Sequence, residues 1–330
     1  MRAAPLLSSS PMNDLVLITD YAWPDVAIER AVIEAAGLRL FAGPPEPLSA
    51  EQIEELVRQH QPASILTCWA RVSAEAVHAS AALRHIGRIG VGLDNIDVAA
   101  CTARGIPVTN VPDYCVEEVS DHALAMTLAW ARGVLHFDRE IRAGRWQPAS
   151  AKLRRVSELT VGVVGYGQIG SATVRKFRAL GCQLLVHTAQ PPADSDIARF
   201  VPLDELLADS DVVILHLPLL ASTQHIIDAD RLAKMKPGAL LVNVSRGGLV
   251  QSDALGEALR SGHLSGAGLD VLESEPQVPA ALADHPNTIL TPHVAFSSTA
   301  SLAELRRRAA EESVRVLAGQ QPRHPCNKFS

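Results

Sequence analysis

Six residues, Gly165-Tyr166-Gly167-Gln168-Ile169-Gly170, constrain the fold of this chain more than any others. They follow an apolar run at residues 160–164 (TVGVV) and lead into residues 171–180, which carry a helical pattern. A G-x-G-x-x-G between a strand and a helix is a dinucleotide-binding signature, because each glycine has a separate task. Gly165 permits the tight turn, Gly167 lets a pyrophosphate approach the backbone, and Gly170 lets helix and strand pack closely. The helix N-terminus supplies free N–H groups and a positive dipole end for the phosphates. The plainer alternative is a glycine-rich turn that binds nothing; the strand before it and the helix after it weigh against that.

The same alternation runs through the chain. Residues 15–19 (LVLIT), 64–68 (SILTC), the run ending at 88–92 and 107–110 (PVTN) read as strands. Between them, residues 26–36 read as a helix stopped by Gly37, and Ser49-x-x-Gln52 forms a capping box for a second. Ser73 caps a third helix through Ala82, and residues 98–104 make a fourth. A long helix over 116–132 then precedes a mixed, polar connecting arm at 138–158 that contains Trp146. After the glycine loop, strands follow at 183–187, 211–216, 239–244, 266–271 and 288–290, for a doubly wound sheet of about six strands. A charged amphipathic helix over 300–317 closes the chain. Alternating strands and helices over 330 residues predict an α/β protein of two domains built on parallel sheets.

Composition removes several function classes. The net charge is −6, with no basic block, which argues against nucleic acid as a partner. No apolar run is long enough for a bilayer, and residues 1–11 carry too little for a signal peptide and read as a disordered tail. A cytoplasmic location is therefore expected. Cys68, Cys101, Cys115, Cys182 and Cys326 are far apart and read as reduced thiols, and the 12 histidines lack metal-ligand spacing. No metal is expected.

Three residues carry the candidate chemistry. Arg246 follows the strand at 239–244, Glu275 follows that at 266–271, and His293 follows that at 288–290. All lie at carboxyl ends of strands, where open α/β sheets bind ligands. Reducing a 2-keto acid requires a hydride at carbon and a proton at oxygen. A histidine can give that proton and take it back, a carboxylate beside it favours the protonated ring, and an arginine can grip a carboxylate or carbonyl. Taken singly, each residue has an ordinary structural reading; behind a dinucleotide loop, the three together favour catalysis. The ribose end is less regular. An acidic residue is expected about 20 residues beyond the loop, yet the strand ends His187-Thr188-Ala189-Gln190, with no carboxylate before Asp194 and no arginine for a 2′-phosphate. NAD is the expected cofactor, with NADP not excluded.

These stretches resemble the D-isomer-specific 2-hydroxyacid dehydrogenase family. The likeness rests on residues 90–97 (GVGLDNID), the glycine loop, 216–219 (HLPL), 243–250, 270–276 and Pro292-His293, and runs from about residue 14. It implies a Rossmann cofactor domain, residues 111–295, inserted in a flavodoxin-like substrate domain made of residues 1–110 and 296–330, with hinges at the junctions. It implies His293 as acid/base, Glu275 as its partner and Arg246 orienting the substrate. Gly165, Gly167, Gln168, Ile169, Gly170, Thr188, Leu217, Val244, Ser245 and Asp270 would hold the cofactor, Asp270 lying by the nicotinamide carboxamide. Backbone amides of Gly90, Val91 and Gly92 would hold the substrate carboxylate, with Arg88, Trp69, Arg71 and Phe296 nearby. Thr188 departs from the family, whose NAD-using members carry Asp there. The partner expected is a small 2-keto or 2-hydroxy acid, and the assembly a homodimer through the cofactor domains, with the Trp146 arm contributing. Two other readings share the scaffold: a nucleotide-sensing interaction protein resembling the C-terminal-binding co-repressors, and a phosphite-type oxyanion dehydrogenase.

Overall fold

A computed structural model describes residues 14–192 and 196–329. The expected tail at 1–11 and Asp194 lie outside these residues. The chain divides into two compact units. One contains the residues up to Tyr114 and resumes at Thr299; the other is Cys115–Ser298.

The first unit holds strands β1 (Leu15–Ile18), β2 (Arg39–Ala42), β3 (Ser64–Thr67), β4 (His85–Arg88) and β5 (Val108–Thr109), ordered β2-β1-β3-β4-β5. Every pairing is parallel, and the order is that of flavodoxin-like sheets. Helices α1 (Ala27–Ala35), α2 (Ala50–His60), α3 (Ala74–Ala79) and α4 (Val98–Ala103) link the strands, and the C-terminal helix Thr299–Leu317 packs on α1, β3 and β4. Strands β1, β3 and β4 are buried along their whole length, as parallel strands covered on both faces must be.

Local chemistry explains the boundaries. The Ser49–Gln52 box is closed in both directions, Gln52 N–H to Ser49 Oγ at 3.3 Å and Ser49 N–H to Gln52 Oε1 at 3.0 Å. Helix α3 stops at Ala79, short of the expected Ala82, because Gln61 takes over its end. The Gln61 amide donates to the Ala79 carbonyl at 2.7 Å and accepts from Ala81 N–H at 3.2 Å. The edge strand β2 was not expected, since it is partly exposed and lacks a continuous apolar run. The buried Glu29 carboxylate accepts two hydrogen bonds from Arg306, which ties α1 to the C-terminal helix.

The second unit begins with α5 (Val116–Ala131) and α6 (Val134–Arg142). Strands β6 (Thr160–Val164), β7 (Gln183–His187), β8 (Arg199–Phe200), β9 (Val212–Leu215), β10 (Leu240–Asn243), β11 (Gly266–Leu269) and β12 (Thr288–Leu290) form one parallel sheet in the order β12-β11-β10-β9-β6-β7-β8. Helices α7 (Gln168–Ala179), α8 (Leu203–Asp209), α9 (Ala229–Lys234), α10 (Ser252–Arg260) and α11 (Ala280–Ala283) lie between. The order reverses between β6 and β9, the switch point at which a Rossmann sheet binds its dinucleotide. The protein is thus an α/β fold of two doubly wound parallel sheets. The second sheet has seven strands rather than six, because the two-residue β8 is too short to leave a sequence pattern. The arm also differs from expectation: Gly133 turns the chain with φ +61°, and α6 occupies residues 134–142 before the irregular stretch. None of its residues is buried.

Candidate acid/base and cofactor site

The glycine loop joins β6 to α7 at the switch point. Gly165 has φ +103°, and a Cβ there would meet the His216 carbonyl oxygen at 2.1 Å. A Cβ on Gly170 would meet the Gly165 carbonyl oxygen at 2.1 Å, so this position closes helix against strand. Gly167 is different: a Cβ there meets nothing within 4 Å, and no side chain caps the N-terminus of α7. Open space in front of uncapped N–H groups is what a pyrophosphate needs, so Gly165 to Gly170 fit a dinucleotide. Gln168 and Ile169 open the helix itself. His216 braces the loop from behind; its Nε2 lies 2.9 Å from Thr173 Oγ1, and burial pushes its pKa down to about 3.

Other expected cofactor positions stand at neighbouring strand ends. Thr188 directly follows β7 and is half-buried, and Leu217 follows β9. Beyond β10, Val244 is buried and Ser245 donates from Oγ to the Leu215 carbonyl at 2.6 Å, linking two strand ends. The Asn243 side chain accepts from Ser245 N–H at 3.1 Å and donates to the Arg246 carbonyl at 2.8 Å, which fixes the turn that carries Arg246.

The His293 turn is built around Asp270. This carboxylate is buried and accepts from Thr291 Oγ1 at 2.5 Å, Val294 N–H at 2.9 Å and Ala295 N–H at 2.9 Å, while its own carbonyl accepts from His293 N–H at 2.8 Å. His293 is held in the left-handed region, φ +53°. That conformation costs a non-glycine residue about 1–3 kcal/mol and persists where surrounding bonds determine it. Its Nδ1 lies 2.9 Å from Glu275 Oε2, and 22% of the side chain remains exposed. Glu275 Oε1 accepts from Leu272 N–H at 2.9 Å. Burial pushes the Glu275 carboxyl up, but the hydrogen bond and charge of His293, the Leu272 amide and the Arg246 charge outweigh it and hold the group below the usual carboxylate range. Phe296 meets the His293 ring edge-on, with centroids 6.3 Å apart. The second unit therefore gathers Arg246, Glu275 and His293: a carboxylate kept charged, an imidazole oriented by it, and a guanidinium close enough to act on the carboxylate.

Sequence reasoning overlooked Asn243, which holds the Arg246 turn, and Thr291, which donates to Asp270 in the His293 turn. Polar side chains at strand ends carry no spacing signal. A second histidine–carboxylate pair, His225 with Glu273, was also unforeseen; Glu273 Oε2 further accepts from Ser252 N–H at 3.1 Å.

In the first unit, Gly90 has φ +154° and its carbonyl accepts from Val111 N–H at 3.0 Å, while Asn110 Nδ2 donates to the Val91 carbonyl at 2.7 Å. Gly92 continues this turn. Arg88 is buried and donates to the Thr67 and Ile89 carbonyls, its guanidinium 5.5 Å from the Trp69 ring centroid. A Cβ on Gly90 would meet that guanidinium at 2.8 Å, so arginine and glycine shape the turn together. Arg71 is exposed. Among the described residues no group of three His, Cys, Asp or Glu side chains is placed to hold a metal ion, and no helix is long and apolar enough to cross a membrane.

A dinucleotide loop and a histidine–carboxylate pair, both at strand ends of one parallel sheet, define the class of an NAD(P)-dependent oxidoreductase. Comparison with known proteins agrees. Residues 124–295 match the model of the D-isomer specific 2-hydroxyacid dehydrogenase NAD-binding domain. A glyoxylate reductase of Thermococcus onnurineus is 38% identical over 251 residues, covering 72% of this chain and 75% of that protein. A D-3-phosphoglycerate dehydrogenase of Mycobacterium leprae is 40% identical over 256 residues, 76% of this chain but 48% of that protein. Among solved structures, an NADPH-dependent glyoxylate/hydroxypyruvate reductase from Sinorhizobium meliloti, in complex with NADP and malonate, superposes with TM-score 0.84 at 30% identity over 95% of this chain and 96% of that one. The chain belongs to the D-isomer specific 2-hydroxyacid dehydrogenase family, NAD(P)-dependent enzymes that act on CH–OH donors.

Proposed function

We propose that this protein reduces a small 2-keto acid to its D-2-hydroxy acid, and runs the reverse oxidation, with His293 as acid/base, Glu275 as its partner and Arg246 orienting the substrate. The observation that carries this reading is the 2.9 Å bond between His293 Nδ1 and Glu275 Oε2 on a partly exposed ring. With Nδ1 committed to Glu275, Nε2 is the nitrogen that exchanges a proton with the substrate oxygen. In reduction the imidazolium gives up the Nε2 proton; in oxidation the neutral ring takes it back. Glu275, held charged, fixes the ring through Nδ1 and leaves Nε2 as the exchanging atom. Arg246 offers a planar donor pair to the substrate carboxylate or carbonyl. Bound nicotinamide supplies or accepts the hydride.

Gly165, Gly167, Gln168, Ile169 and Gly170 would hold the pyrophosphate. Thr188 would meet the adenosine ribose, while Leu217, Val244, Ser245 and Asp270 would line the remainder. The turn of Gly90, Val91 and Gly92, stiffened by Arg88, would bind the substrate carboxylate, which makes the first unit the substrate domain and the second the cofactor domain. Phe296 would exclude water beside His293. Thr188 in place of an acidic residue removes the charge that repels a 2′-phosphate, so NADPH is admitted, while the lack of an arginine there favours NADH.

We further propose a cytoplasmic homodimer. Val134, Leu135, Ile141 and Trp146 of the α6 arm are exposed, Trp146 to 81%. Exposed apolar side chains on a helix with no buried residue, and on the segment after it, call for a second copy.

The test is spectrophotometric: purified protein with NADH or NADPH, and a panel from glyoxylate, pyruvate and hydroxypyruvate to branched and aromatic keto acids. Oxidation of a cofactor by at least one acid is expected. Bound cofactor with no turnover across the panel would refute the reading.

A further inference from the structure

We propose that His122 and Thr291 are positioning residues that hold the His293 turn by a hydrogen-bond relay from α5. The relay deepens the acid/base reading and rests on it for its catalytic meaning. Thr291 Oγ1 has one hydrogen, and it points to Asp270 Oδ1 at 2.5 Å. The same oxygen lies 3.0 Å from His122 Nε2 and must accept there, which places the ring proton on Nε2. The direction of donation is thus settled from end to end, His122 Nε2–H to Thr291 Oγ1–H to Asp270. The His122 ring stands 3.7 Å from the same Asp270 oxygen, close enough for its position to bias the carboxylate.

Asp270 then brackets His293. It accepts from Val294 N–H and Ala295 N–H through its carboxylate, and from His293 N–H through its carbonyl. Because His293 is in the left-handed region, the direction of its ring depends on these bonds. A carboxylate that rotated away would release two amides next to the histidine and loosen the ring from Glu275. The Thr291 hydroxyl is what opposes that rotation, and His122 orients the hydroxyl. Donors already aligned on a charged acceptor strengthen one another. The hydrogen bonds of His122 run to Thr291 and not to Glu275 or His293, so its action is exerted through the turn.

Amide hydrogen exchange on the full chain without cofactor tests the relay directly. T291V keeps the side-chain shape and removes the hydroxyl, and H122L removes the ring donor from a partly exposed site. Both should speed exchange at Val294 and Ala295 by about three- to tenfold, the weight of one buried hydrogen bond, with β6 amides unchanged. T291S, which keeps the hydroxyl, should retain the wild-type pattern. In turnover with a 2-keto acid, T291V and H122L should lower kcat by a similar factor, and T291S should restore it. Exchange at Val294 and Ala295 within twofold of wild type in both variants would overturn the proposal, as would acceleration spread evenly over the unit. If T291V does not fold, H122L decides alone. A wild-type protein without 2-keto acid turnover would count against the proposed function, whereas the exchange result stands apart from it.

Discussion

His293→Ala removes the side chain proposed to exchange a proton at the strand ends of β11 and β12. It should lower kcat/KM by about 10²–10⁴-fold, the weight of general acid/base catalysis, with cofactor affinity within a few-fold of wild type. Steady-state kinetics beside a cofactor-binding titration measures both. Glu275→Gln has a different signature. The amide can still accept from His293 Nδ1 but carries no charge, so the charge-assisted bond is replaced by a weaker neutral one. Turnover in keto-acid reduction should fall by about tenfold with cofactor KM unchanged. A kcat equal to wild type would show that Glu275 only orients the ring. The proposed roles are partly legible in the amino-acid sequence. The residue types and their positions after strands pick out Arg246, Glu275 and His293, because a proton donor, a carboxylate and a guanidinium are the groups the reaction needs. The hydrogen bonds through Asp270 and Thr291 are not legible there, since they depend on how two turns face each other.

At the scale of an element, the glycine loop separates packing from binding. Gly165→Ala forces a left-handed φ on a Cβ that would lie 2.1 Å from a backbone oxygen. It should cost at least about 1–3 kcal/mol of stability and abolish dinucleotide binding. Gly167→Ala meets nothing within 4 Å, so its Tm should change little while the cofactor KM rises. Thermal melts and KM values for the two variants should dissociate in this way; equal losses of Tm would contradict the assignment of roles. The α6 arm makes a second prediction. Ile141→Glu with Trp146→Glu places charges on exposed apolar positions and should turn the proposed dimer into monomers by sedimentation. Unchanged mass would move the interface elsewhere. The helix itself was not foreseen, because an amphipathic segment with no buried residue lacks the burial that sequence patterns report.

In the whole molecule, buried His85 and partly buried His216 both weaken the fold in acid. His85 in the first unit lies between Ser64 Oγ at 2.8 Å and Thr109 Oγ1 at 2.9 Å, and burial pushes its pKa down to about 3, as it does for His216 in the second. Below about 6.5 the unfolded chain takes up these protons while the folded chain does not, down to about 3. Proton uptake by the unfolded state alone means stability falls as pH drops through that window. Denaturant midpoints should decline from pH 6.5 toward pH 4, by up to about 1 kcal/mol per pH unit for each histidine, and His85→Gln should flatten the slope. A midpoint independent of pH over that range would refute this.

An α/β fold with a dinucleotide loop, and three polar residues beyond strand ends, can be read from the order of residues along the chain. Periodicity, capping residues and the glycine signature are local, so they survive without neighbours: the Ser49–Gln52 box and the loop at 165–170 are both legible as they stand. Tertiary structure alone decided the strand orders β2-β1-β3-β4-β5 and β12-β11-β10-β9-β6-β7-β8, the edge strands β2 and β8, and the inward turn of Arg88 onto backbone carbonyls. It also decided the path from His122 to His293. Contacts between residues 122, 270, 291 and 293 have no sequence period, because they arise only where a helix and two strand ends are packed together.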